Sequence, residues 1–153
     1  MTKETRNPND EDAASRLRAE EEFWGVEANS GAMALRDEPV SRPVYDLEER
    51  TAKFGEAIVL FARKIPQNPV NNRLIGQLIG AGTSVGANYC EADDGVSKKD
   101  FRNKIGTCRK EARETKFFLR MVATSEPQLK PEARVLWQEA KELHLIFSKI
   151  WQS

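Results

Sequence analysis

From Asp46 onward apolar residues return every three or four positions, the spacing that lays side chains along one stripe of an α-helix. Leu47, Thr51, Phe54, Ile58, Phe61 and Ile65 make the first stripe, with Asp46 and Glu49 set as a capping-box-like pair and Pro66 and Pro69 as its end. A second stripe, Ile75, Leu78, Gly82, Val85 and Tyr89, predicts a helix from Asn72 to about Asp93. The third helix is expected from its N-cap Ser97 to about Ser125, on Phe101, Ile105, Cys108, Ala112, Thr115, Leu119 and Val122. Pro127 breaks it, and Pro131 suits the first turn of a fourth helix whose stripe is Leu136, Ala140, Leu143, Phe147 and Ile150. No run alternates as a strand would. Four amphipathic helices with short connections predict an all-α fold, an antiparallel up-down-up-down four-helix bundle over residues 46–153.

The first 45 residues have a different texture. Gly25 to Pro43 is rich in Gly, Ser, Asn and Pro and keeps no period, which is the composition of a linker. Upstream, residues 10–24 form at most a short helix, because Ala13, Leu17 and Trp24 are too sparse to hold one alone in water. The expectation is a flexible, partly helical N-terminal extension. The sharper alternative is a docking peptide that meets a protein partner through Phe23 and Trp24.

Charge sharpens that division. The chain carries 24 basic and 24 acidic residues, but residues 1–45 hold six basic against ten acidic ones, leaving the extension at −4 and the rest at +4. At 153 residues, 39% hydrophobic and 31% charged, the chain suits one helical domain with solvated faces. No apolar run approaches the length of a membrane span and residues 1–12 are polar, so a cytoplasmic protein is expected. Two cysteines, Cys90 and Cys108, fall short of a zinc site even with the one histidine, and the cysteines are read as buried free thiols.

Catalytic motifs are absent from this pattern. The run IGQLIGAGTSVGAN has glycines at 76, 80, 82 and 86, but its spacing and the lack of a preceding strand exclude a dinucleotide fingerprint. His144 has Lys141 three residues before it where a di-iron site needs a glutamate, and no serine or cysteine has an evident base. Neither enzyme activity, nor a cofactor, nor a small-molecule substrate is expected. The glycines instead allow close helix packing, within the bundle or, for Gly76 and Gly80, between subunits.

Two surface patterns carry candidate function. Arg102, Arg109, Arg113, Lys116 and Arg120 fall within about 60° of one another on the third helix, a basic ribbon about 27 Å long. Such a ribbon neutralises nucleic-acid phosphates, or else pairs with carboxylates of a neighbouring helix or subunit. On the fourth helix, Trp137, His144 and Trp151 repeat at seven beside the core stripe, a surplus sticky face that predicts contact with another subunit.

Residues 80–122 carry a family likeness. Thr83 to Asn88, Glu91, Ser97 to Phe101 and the Lys-Glu-Ala-Arg-Glu-Thr run at 110–115 resemble the four-helix-bundle family encoded in intervening sequences of bacterial 23S ribosomal RNA genes. The likeness extends over Asp46 to Trp151, with Cys90, Cys108 and Gly106 as departures. It implies a homopentamer with a basic, funnel-like surface and no established catalysis. The same fold resembles the accessory variability proteins of diversity-generating retroelements, pentamers that bind nucleic acid and a reverse transcriptase. The resemblance therefore implies RNA or DNA as partner through the ribbon. The rival expectation is an adaptor pentamer that touches no nucleic acid.

Overall fold

The computed structural model describes residues 8–25 and 46–153 of the 153-residue chain. The chain divides into two units, Met1–Ser41 and Arg42–Ser153. In the first, helix α1 (Pro8–Trp24) is steadied locally, Arg16 Nε donating to the Asp12 carbonyl at 3.2 Å. Most of α1 is exposed, as its sparse apolar positions require. The expected linker, Gly25 to Pro43, lies outside the described residues except for Gly25.

The second unit is built from α2 (Leu47–Ala62), α3 (Pro69–Asp93), α4 (Lys98–Ser125) and α5 (Lys130–Gln152), with a 3₁₀ turn at Pro127–Leu129. Short connections reverse the chain between consecutive helices, and α5 returns to α2, so the four close into a ring in which each packs on two neighbours. The expected stripes are largely buried, with Ile75, Tyr89, Leu136 and Ile150 half-buried and Phe101 exposed. Thr51, Phe54, Ile58 and Phe61 of α2 meet Leu78 and Val85 of α3 and Ile105, Cys108, Ala112, Thr115, Leu119 and Val122 of α4 in one core. The α4 stripe is small in its middle, while α5 supplies the two largest fully buried side chains, Trp137 and Phe147. Large beside small is how such interiors reach close packing.

Helix starts and stops separate what the pattern shows from what it conceals. Ser97 caps α4 as expected, its hydroxyl accepting from Asp100 N at 3.1 Å. Asp46 makes no side-chain cap bond, because its backbone (φ −98°, ψ 29°) departs from the extended conformation that aims a carboxylate at the first turn. Pro69 opens α3 rather than closing α2. It occupies the first turn, where a missing N–H costs nothing, and Asn68 Oδ1 before it accepts from Asn71 N at 2.8 Å. Helix α2 already stops at Ala62, although Ile65 remains buried in the turn beyond it.

One polar cluster anchors that turn. Asn71 is fully buried; its amide donates to Pro66 O at 2.8 Å and to Glu126 Oε1 at 2.9 Å, and its carbonyl oxygen accepts from Ser125 Oγ at 2.6 Å. The α2–α3 connection is thereby tied to the C-terminal end of α4. Between α2 and α5, Arg50 reaches both Glu139 and Glu142, the latter at 2.9 Å.

Candidate nucleic-acid interface

Helix α4 carries the basic ribbon along its border with α5. Arg102 and Arg113 are exposed, Arg109 and Arg120 half-buried, and Lys116 only 7% exposed. Lys116 therefore departs from a fully solvated ribbon: its stem is packed into the seam. Among the described residues, Arg102, Arg109 and Arg113 form no ion pair with a carboxylate. Glu111 and Glu114 project from the other side of α4, about 120° or more away, where burial followed by the nearness of Glu114 raises the pKa of Glu111.

Arg102 and Arg109 meet an aromatic ring instead. The Arg102 and Arg109 guanidinium carbons lie 4.8 and 4.5 Å from the centre of the Trp151 ring, and Arg102 Nε donates to the Trp151 carbonyl at 3.2 Å. Gly106, between the two arginines on α4, makes room for the indole. A Cβ there would stand 3.1 Å from Trp151 Nε1. Farther along, Lys141 Nζ lies 5.5 Å from the centre of the Trp137 ring.

His144 sits half-buried on the same side of α5. Burial first, then the positive charges of Lys116, Arg109 and Arg113, hold its pKa down at about 4, so the ring is neutral at ordinary pH. The basic ribbon of α4 and the seven-residue repeat of α5 are thus two sides of one seam. Lys141 belongs to this seam, and only its place one turn before His144 hinted at that.

Trp137 requires a correction. It is 1% exposed and belongs to the core of its own bundle, so its surface is not available to another subunit. The buried arc of α5 centres on Ala140 and Phe147, between the two stripes visible in sequence, and reaches Trp137 on one flank and Leu143 on the other. Trp151 is half-buried against α4 rather than presented outward.

The remaining candidates lie elsewhere. Gly76 and Gly80 are exposed on α3, and a Cβ at either would meet nothing within 4 Å. With Thr83 and Ala87 they make one exposed edge of small side chains, beside a groove between α2 and α3 whose floor includes Gly55 and Gly86 and whose rim carries Asp46, Glu48 and Glu56. Phe23 and Trp24 end α1 in the other unit, their rings edge to face at 4.9 Å. Trp24 is only 2% exposed and Phe23 half-buried, so Trp24 does not stand out as a free anchor.

The cysteines are poor nucleophiles. Cys108 is buried as expected, and burial pushes its thiol up to about 12; Cys90, on the outer side of α3, is exposed instead, and partial desolvation followed by the Glu48 carboxylate, 3.8 Å away, raises its thiol. Among the described residues no group of three or more His, Cys, Asp or Glu side chains is placed to hold a metal ion, and no helix is long and apolar enough to cross a membrane.

The family model described as the 23S rRNA-intervening sequence protein matches residues 45–149. The chain belongs to that family. The part shared with the 23S rRNA-intervening sequence proteins contains the four helices of the bundle almost entire, including Arg102 to Arg120 and His144, and stops two residues short of Trp151. A similar solved structure is a protein of unknown function of the S23 ribosomal protein family from Bacteroides thetaiotaomicron, 25% identical, covering 70% of this chain and 96% of that one, with a TM-score of 0.62. No curated protein matches the chain.

Proposed function

We propose that this member of the 23S rRNA-intervening sequence family is a non-enzymatic, oligomeric cytoplasmic protein that binds RNA or DNA through the seam between α4 and α5. The observation that carries this reading is the set of arginines Arg102, Arg109 and Arg113, aligned along one edge with no carboxylate neutralising them among the described residues. A guanidinium held over an aromatic ring, as Arg109 is over Trp151, still presents N–H donors that fit phosphate oxygens. A row of this kind reads backbone charge rather than base sequence.

Oligomerisation, with the homopentamer as its expected form, is supported by Gly76 and Gly80. An exposed mid-helix glycine that makes no close contact costs about 1 kcal/mol against alanine and gains nothing within the protomer. Close approach of another helix along that edge supplies the missing reason. Repeating one weak seam around a ring multiplies its affinity for a polyanion. The adaptor reading, with a reverse transcriptase or another protein as partner, rests on Phe23 and Trp24 and is weakened by the burial of Trp24.

The test is equilibrium binding to a structured RNA and to a DNA duplex across about 50 to 300 mM salt, with Arg109→Gln/Arg113→Gln alongside. Affinity is expected to fall steeply with salt, and the variant to lower the slope of log K against log salt by about two. Absence of binding to both at the lowest salt would refute the reading and turn attention to protein partners.

A further inference from the structure

The seam holds a titratable side chain that a row of arginines does not need. His144 is the single histidine of the chain, and it lies between Trp137 and Trp151 on the α5 side that faces the ribbon. Gly106 and Arg109 against Trp151 set the register of α4 on the antiparallel α5, which brings His144, two turns before Trp151, level with Arg113; Lys116, Arg109 and Arg113 are the α4 cations that act on it. From α2, Arg50 is engaged by Glu139 and Glu142 on another side of α5, and α3 reaches α5 through Tyr89 against Phe147. On α5 itself, Lys141 lies against Trp137 one turn before. The three charges that shift His144 are all positive.

We propose that Arg109, Arg113, Lys116 and His144 form one phosphate-binding cluster, in which His144 takes up a proton and becomes a fourth cation when a nucleic-acid phosphate docks. This rests on the nucleic-acid reading of the seam. In the free protein a protonated His144 would be a further positive charge, half-buried beside three others, so burial and repulsion keep it neutral. A phosphate among these groups reverses both effects: it screens the arginines and offers an anion to the ring. The neutral imidazole has one N–H to give, the imidazolium two.

Linkage sets the sign. Docking raises the affinity of His144 for a proton, so a proton raises the affinity for phosphate by the same factor. Binding strengthens as pH falls through the value of the complex and levels off below about 4, the value of the free protein. The direction follows from the cluster itself, because the cations that disfavour the imidazolium are the ones the phosphate neutralises.

Because His144 is the only histidine, its imidazole resonances in a proton NMR spectrum identify themselves. They would be followed through a pH titration of the full chain, alone and with a single-stranded RNA of about 20 nucleotides at low salt. The midpoint is expected to move up by about two pH units, toward the ordinary histidine value. RNA affinity is expected to rise about tenfold between pH 7.5 and pH 5 in the natural protein, and to stay within about threefold over that range in His144→Gln, whose helix content is checked by circular dichroism. A midpoint that RNA does not move, or a His144→Gln variant as pH-sensitive as the natural protein, overturns the cluster. If salt-dependent binding persists in that case, the seam keeps its nucleic-acid role without His144; if RNA binds at no pH, both readings fall. Inorganic phosphate at equal phosphorus concentration is expected to leave the midpoint in place. Movement as large as that caused by RNA would make the cluster a free-phosphate site and overturn its assignment to nucleic acid.

Discussion

Two glycines a short step apart on α3 are expected to respond to the same substitution with opposite signs. Alanine at Gly82 places a Cβ 2.8 Å from Ile58 Cγ2 and 2.9 Å from Cγ1, at a residue that is 0% exposed. Ile58 is β-branched and stiff at χ1, so it gives way only by moving α2 away from α3. Overpacking of this kind costs about 2–3 kcal/mol, against the gain of about 1 kcal/mol that alanine brings to a helix interior. Gly82→Ala should therefore lose about 1–2 kcal/mol net. Alanine at Gly80 meets nothing within 4 Å and keeps the whole helical gain of about 1 kcal/mol. At about 4 °C per kcal/mol for a body of this size, the two variants should melt roughly 10 °C apart on either side of the parent. The assay is thermal and urea unfolding at sub-micromolar concentration, repeated at higher concentration beside light scattering. Shifts of the same sign in dilute protein would refute the packing argument. A Gly80→Ala protein that is more stable when dilute yet associates less would place that glycine edge in the contact between copies.

Two further outcomes follow from the core. Asn71→Ala removes three partners at once, leaves the Pro66 carbonyl and Ser125 hydroxyl unanswered at a buried position, and should cost about 1–3 kcal/mol by urea unfolding. Hydrogen bonds from Gln128 and then Asn71 hold the Glu126 carboxyl below its ordinary pKa, so that contribution is present at neutral pH and is lost as pH falls through the lowered value; the gap between parent and variant should narrow in acid. Trp137→Ala should destabilise even the dilute protomer by about 3–5 kcal/mol, and an unchanged unfolding midpoint there would contradict its place in the core.

Most of the bundle was legible because burial in a helix follows a period that residue types display openly. All six residues of the α2 stripe are buried, and on α4 only Phe101, at the exposed start, stands outside the core. Local chemistry with two meanings was harder to read. Proline closes a helix or opens one, and the sense of Pro69 depends on Asn68 before it, a cap that the four-residue Pro-Gln-Asn-Pro run does not advertise. Asp46 and Glu49 have the spacing of a cap but not the backbone angles. On α5, two apolar stripes about 100° apart compete, and the core takes the arc between them, so neither alone marks what is buried. The seam was visible only as two separate patterns. Their meeting depends on which side of α4 faces α5, a fact of tertiary packing that periodicity on either helix leaves open.

The seam is costly in a way that bears on its purpose. Arg109, Arg113 and a nearly buried Lys116 repel one another, and repulsion is strongest where water is scarce. Three glutamates on α5 show that this chain can place carboxylates where cations need them, as Arg50 finds Glu139 and Glu142 and Lys64 finds Glu132 at 3.0 Å. For Arg102, Arg109 and Arg113 of α4 that remedy is missing among the described residues. Arg102 and Arg109 are instead spread over a tryptophan, and His144 stays uncharged. These devices soften the repulsion without removing the positive charge. A bundle selected for folding alone gains more from one glutamate facing Arg113 than from any of them, since neutralising an unpaired cation stabilises while preserving helix propensity. An arrangement that keeps the charge while lowering the cost of keeping it makes sense when an anion from outside the chain completes it. On that ground Arg113→Glu should stabilise the free protein slightly and abolish nucleic-acid binding, a pairing of opposite effects that a purely structural arginine would not produce.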